Sequence, residues 1–171
     1  MGNKLVFMKN NILVALFLIF LPVGFLQFYI PTISFGGDVQ LFLDLFLIYL
    51  AYLSIGQERY QVVAMGFFIG LFQDFIGQSS LLGVFAFTKT IAAYFLCHLF
   101  KYDRVWSYGV KLLYLFLVFK IHYILATYLM FDRSFTPFSY IFKISFIQTV
   151  FMIALTMVVN KFILVDKKII K

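Results

Sequence analysis

A chain of 171 residues that is 64% hydrophobic and 12% charged, with a net charge of +7, has a mean hydropathy of +1.01. Ordinary soluble domains are about half apolar and about a quarter charged. These values exclude a water-facing surface over most of the chain and point to a lipid bilayer as its medium. The single Cys97 excludes an internal disulfide, and no CxxC or Cys/His cluster suggests a metal.

Apolar runs long enough to cross the ~30 Å hydrocarbon layer predict six helices in one transmembrane domain, 1–171. The first, Ile12 to Ile30, follows Lys4 and Lys9 as a signal peptide would. Its apolar run is too long for one and no small-x-small cleavage site follows, so it is expected to stay as an anchor. The second, Asp38 to Ile55, carries Asp44 a few residues inside one end. The third, Gln61 to Gly77, carries Gly66, Gly70 and Asp74 every four residues, on one stripe. Its G-x-x-x-G face lets another helix approach closely, and the charge at the end of that face points toward protein. The stretch "GQSSLLG" then predicts a tight turn through Gly77, Ser79, Ser80 and Gly83, whose exposed N–H groups the Asp74 carboxylate can cap.

Lys89 falls near the middle of the fourth segment, Leu82 to Phe100, with His98 near its end. Lys120 and His122 fall near the middle of the fifth, Tyr108 to Met130. The sixth, Phe142 to Leu164, leads into the basic tail "VDKKIIK". Both faces of every segment are apolar, so the alternation of a membrane β-barrel is missing and the predicted class is all-α.

Basic residues in short loops set orientation. With the N-terminus in the cytoplasm, the inner side carries Lys4, Lys9, Arg59, Lys101, Arg104, Lys111, Lys161, Lys167, Lys168 and Lys171. The outer side then carries only Arg133 and Lys143. Both termini are therefore expected in the cytoplasm. The positive charge reads as topology and contact with anionic lipid; the basic residues are too scattered for a nucleic-acid site.

Four ionisable residues remain inside the membrane: Asp44, Asp74, Lys89 and Lys120. They carry no net charge together, and each lysine lies ~6 Å deeper than the acids at ~1.5 Å per residue, a gap that a lysine stem can bridge. They are expected to line a polar interior groove or to hold helices together. A proton path needs a chain of acids at the midplane, which is missing. His98 and His122 have no His, Cys or Glu at helical spacing, so hydrogen-bonded or interfacial histidines are expected, with no metal. No cofactor, nucleophile–base pair or phosphate loop is present, so no catalytic residue is assigned.

The stretch "GFFIGLFQDFIGQSSLLG", with Gly66-Phe67, Gly70-Leu71, Asp74 and Leu82-Gly83, resembles the signature of the rod shape-determining MreD family of bacterial inner-membrane proteins. The resemblance covers roughly residues 38–100, including "LFLIYLAYLSIGQERYQVVAM"; the first helix and the last two agree in hydropathy. One departure is "FGGDVQ", where many relatives have a proline before a polar residue. The resemblance implies a fold similar to the substrate-binding subunits of ECF-type vitamin transporters. It also implies a non-enzymatic scaffold that binds MreC and acts with MreB, a SEDS-type glycosyltransferase and a class B transpeptidase in lateral peptidoglycan synthesis. Gly66, Gly70 and Gly83 are then candidates for helix packing or partner contact, and Asp44, Asp74, Lys89 and Lys120 for the polar groove. A vitamin-transporter substrate subunit is the alternative, with an aromatic and polar pocket open to the outside.

Overall fold

The computed structural model describes residues 22–27, 29, 33–35, 39–55, 57–77, 81–102, 105–130 and 137–162. Most of them are helical. Residues 22–27 and 29 lie in the first expected segment and are helical; the rest of that segment lies outside the described residues. Five further helices follow: α1 (Leu45–Leu53), α2 (Arg59–Ile76), α3 (Val84–Lys101), α4 (Tyr108–Met130) and α5 (Phe138–Phe162). Consecutive helices from α2 onward pack on one another, and α1 packs against both α2 and α3. Two helices, Tyr108–Met130 and Phe138–Lys161, are long and apolar enough to cross a membrane.

The chain is all-α in class, as expected, but the second segment, expected as one continuous helix from Asp38 to Ile55, is broken by a short hairpin. Strands β1 (Ile33–Phe35) and β2 (Val39–Leu41) pair antiparallel, with Ile33 opposite Leu41 and Phe35 opposite Val39. The sequence between them reads Gly36-Gly37-Asp38, a composition suited to a three-residue hairpin connection, and the flanking residues are β-branched or aromatic. Helical periodicity cannot register such a break, because the run is apolar on both faces and looks the same as strand or as helix. The remaining α1 has nine residues and is ~13 Å long, far short of a bilayer. It is instead the centre of the molecule: Phe46 to Ala51 and Leu53 are all buried.

The core around α1 contains Leu96 and Leu99 of α3, Leu115 and Phe119 of α4, and Met152 of α5. The outer surface is equally apolar. On α5 the buried stripe holds Ser145, Gln148, Thr149 and Thr156, while Phe142, Phe146, Val150 and Val158 face outward. The three buried hydroxyls donate back to carbonyls one turn earlier, at Ile141, Ser145 and Met152, which satisfies them without a solvent partner. A polar stripe turned inward and an apolar one turned outward is the reverse of a water-soluble helix.

Candidate functional site: a buried charge cluster at the foot of α1

The break in the second segment creates the site. Residues 42–44 are neither strand nor helix, so their backbone groups need partners from elsewhere. Two glutamines supply them. Gln148 Nε2 on α5 donates to the Phe42 carbonyl, and its Oε1 accepts from the Phe42 N–H at 3.4 Å. Gln27 donates to the Leu43 carbonyl and accepts from the Leu45 N–H at 2.6 Å. Irregular backbone inside an apolar body is tolerated where protein meets its polar groups in this way.

Asp44 closes the segment as the N-cap of α1. Its Oδ1 accepts from the Leu47 N–H at 3.2 Å, satisfying one of the donors that every helix start leaves open. Its Oδ2 forms an ion pair with Lys89 Nζ of α3, and both side chains are fully buried. His122 of α4 brings Nε2 to 3.4 Å from the same oxygen, also fully buried. One carboxylate thus ties together the first turn of α1, the second turn of α3 and the middle of α4. Below it, the Tyr123 ring meets Phe42 edge-on at 5.8 Å between centroids.

Asp74, at the end of α2, does a different job with the same chemistry. Its two oxygens accept from the Phe85 and Ala86 N–H groups, at 3.1 and 2.9 Å. A carboxylate from one helix therefore caps the N-terminus of the next, where the helix dipole is positive. Gly83, immediately before α3, has φ +97°, a conformation that a side chain would disfavour. It lets the chain turn so that the first N–H groups of α3 face back toward Asp74.

Gly66 and Gly70 complete this joint. A Cβ on Gly66 would lie 2.9 Å from both the Ala93 Cβ and the Lys89 carbonyl oxygen. On Gly70 it would strike the Phe85 carbonyl and lie 2.5 Å from Ala86 Cα. The glycines face α3 of their own chain, and both are buried. Their face is occupied within the chain, so it cannot also receive a partner helix. Packing α2 this tightly on α3 also carries Asp74 to the residues it caps.

The expected groove therefore divides. Asp44 and Lys89 meet directly, and Asp74 is held by the start of α3, the helix that carries Lys89. Lys120 goes elsewhere: its Nζ sits 4.0 Å from the centre of the Phe142 ring and 5.7 Å from that of Phe146 on α5. Those aromatic faces offer an ammonium a favourable electrostatic site. Asp44 itself is a helix cap, where the sequence places it inside a helix. His122, Gln27 and Gln148 were not assigned to the site from sequence. For His122 the signal was depth, since eight residues from the end of one segment and seven from the start of the other bring it level with Lys89.

Chemically, the cluster is a clamp. Opposite charges are paired, the carboxylate oxygens are occupied by donors, and among the described residues no group of three His, Cys, Asp or Glu could hold a metal. No family model, curated protein sequence or solved structure matches the chain.

Proposed function

We propose that this chain is a non-enzymatic, multi-pass scaffold of the bacterial inner membrane, of the MreD kind, with both termini in the cytoplasm. In this reading it binds MreC and, through it, helps MreB, a SEDS-type glycosyltransferase and a class B transpeptidase direct lateral peptidoglycan synthesis and rod shape. The observation that carries the reading is the single joint made by Gly66, Gly70, Asp74 and Gly83. The residues that carry the family resemblance are the same ones that dock α2 on α3 and cap α3. The inward polar stripe of α5 and the outward Phe67, Phe72, Phe87, Leu113 and Leu117 support a bilayer setting.

The glycine face is filled internally, so partner binding falls to the outward apolar faces. Tagged protein purified from native membranes, with co-purifying proteins identified by mass spectrometry, tests the reading. MreC is expected among them, and cells lacking the chain should round up. Rod shape retained after deletion, or saturable binding of a vitamin to the purified chain, would replace this reading with another.

A further inference from the structure

We propose that the end of the bundle where α1 stops and α3 ends is a binding site for one anionic phospholipid, with a cationic recess for the phosphate and an adjoining apolar groove for an acyl chain. The recess, about 320 Å³, is lined by Ser54, Ile55, Gln57, Arg59, Cys97 and Lys101. The groove beside it, about 400 Å³, is lined by Leu53, Tyr60, Gln61, Ala64, Met65 and Phe68, and Gln57 borders both. Tyr60, Ala64 and Phe68 recur every four residues along α2, so the groove runs away from the recess along one helix face.

The chemistry of the two halves differs as the two halves of an amphiphile do. Arg59 and Lys101 are exposed and cationic. Arg59 is held in place by the Tyr94 ring, 5.2 Å away, and by His98 Nε2 at 3.4 Å from its guanidinium, which leaves the remaining donors of its planar fork for a phosphate. The neighbouring Glu58 N-caps α2 and forms a capping box with Gln61, so this acid is engaged at the helix start. Gln57 Oε1, which lines the recess as well as the groove, is buried without a hydrogen-bond partner, so a hydroxyl of the phosphatidylglycerol head group can donate to it. The adjoining groove is walled almost entirely by carbon.

The level within the membrane also fits. At this end Tyr102 and Trp106 stack at 5.5 Å, and Trp106 meets Tyr114 at 4.9 Å. Such rings concentrate at the boundary between headgroups and acyl chains. Basic pockets between helices at that depth suit anionic headgroups.

The test uses the full-length chain purified in detergent and titrated with phosphatidylglycerol or phosphatidylcholine, with retained lipid counted by native mass spectrometry. One phosphatidylglycerol should be retained in preference to phosphatidylcholine. The preference should weaken as salt is raised. Arg59→Gln with Lys101→Gln should lower retention roughly 30-fold, at about 1 kcal/mol per basic residue and 1.4 kcal/mol per tenfold. Lys161→Gln, at the end of α5, should leave it unchanged. Ala64→Trp should fill the groove and reduce lipid retention while leaving both cations in place, which keeps the proposal testable should the double variant fail to fold. Equal retention of the two lipids would overturn the proposal, as would equal loss with Lys161→Gln. Competition by inorganic phosphate that Ala64→Trp does not alter would assign the recess to free phosphate, and a dimer dispersed by Ala64→Trp would assign the groove to a second copy of the chain.

Discussion

Lys89, in the second turn of α3, ion-pairs with Asp44 at the foot of α1, and neither side chain has any solvent exposure. The pair joins residues 45 positions apart in sequence. It fixes where the short central helix begins relative to the helix that α2 docks against.

Removing one member of the pair should therefore cost far more than removing both. Lys89→Met leaves the Asp44 carboxylate buried without its main partner, a loss of about 3–5 kcal/mol. Asp44→Asn alone keeps the helix cap but strands the ammonium. The double variant, Asp44→Asn with Lys89→Met, should recover most of the stability, read as thermal unfolding of the purified protein in detergent. Strictly additive losses would mean that the two groups do not act as a pair.

Lys120→Met supplies the contrast. Its ammonium rests on aromatic faces of α5, so its loss should cost only about 0.5–1 kcal/mol. A penalty as large as that of Lys89→Met would show that Lys120 balances a buried acid after all.

At Asp74 the two oxygens serve two N–H groups. Asparagine has one acceptor and would turn its amide toward the other donor. Asp74→Asn should thus be destabilising by about 1–3 kcal/mol, and most of that loss should persist when Lys89 is neutralised as well. Wild-type stability of Asp74→Asn would remove the capping account; rescue through Lys89 would make the residue part of the charge pair instead.

The glycines should rank by what surrounds them. Gly70→Ala faces backbone atoms that cannot move aside and should cost more than about 3 kcal/mol, above the usual range for overpacking. Gly66→Ala meets one side-chain methyl and one carbonyl and should cost less. Gly83→Ala, with open space around it but φ +97°, should cost about 1–3 kcal/mol through backbone strain. Gly109→Ala, with open space and helical backbone, should be neutral or stabilising. Ile69 lies on the buried side at 3% exposure, whereas Phe67 is 45% exposed, so Phe67→Leu should be mild and Ile69→Ala should not. Expression level and melting temperature of the series check the order; equal effects at Gly70 and Gly109 would contradict it.

Topology has its own measurement. A reporter fused after Lys171 should be active in the cytoplasm only, and one inserted near Ser79 outside only. A cytoplasmic signal at both positions would overturn the proposed topology.

Hydropathy alone was enough to place the helices that are long and apolar. Tyr108–Met130 falls where hydropathy places it, and α2, α3 and α5 begin and end within a few residues of the expected bounds. The period-four stripe of Gly66, Gly70 and Asp74 was equally legible, because side chains four apart on a helix must share a face. What lay opposite that face was not legible, since the same stripe serves an internal helix or a partner. Only the packing of α2 on α3 decided it. The hairpin and the short α1 escaped hydropathy because an apolar run has one composition whether it is strand, loop or helix; among the described residues Gln27, Gln148 and Asp44 meet the backbone at the break. The pairing of Asp44 with Lys89 and His122, and the departure of Lys120 to Phe142, depended on helix rotation about the bundle axis. Depth can be counted from sequence at ~1.5 Å per residue, but the direction a side chain faces is settled by the neighbours it packs against.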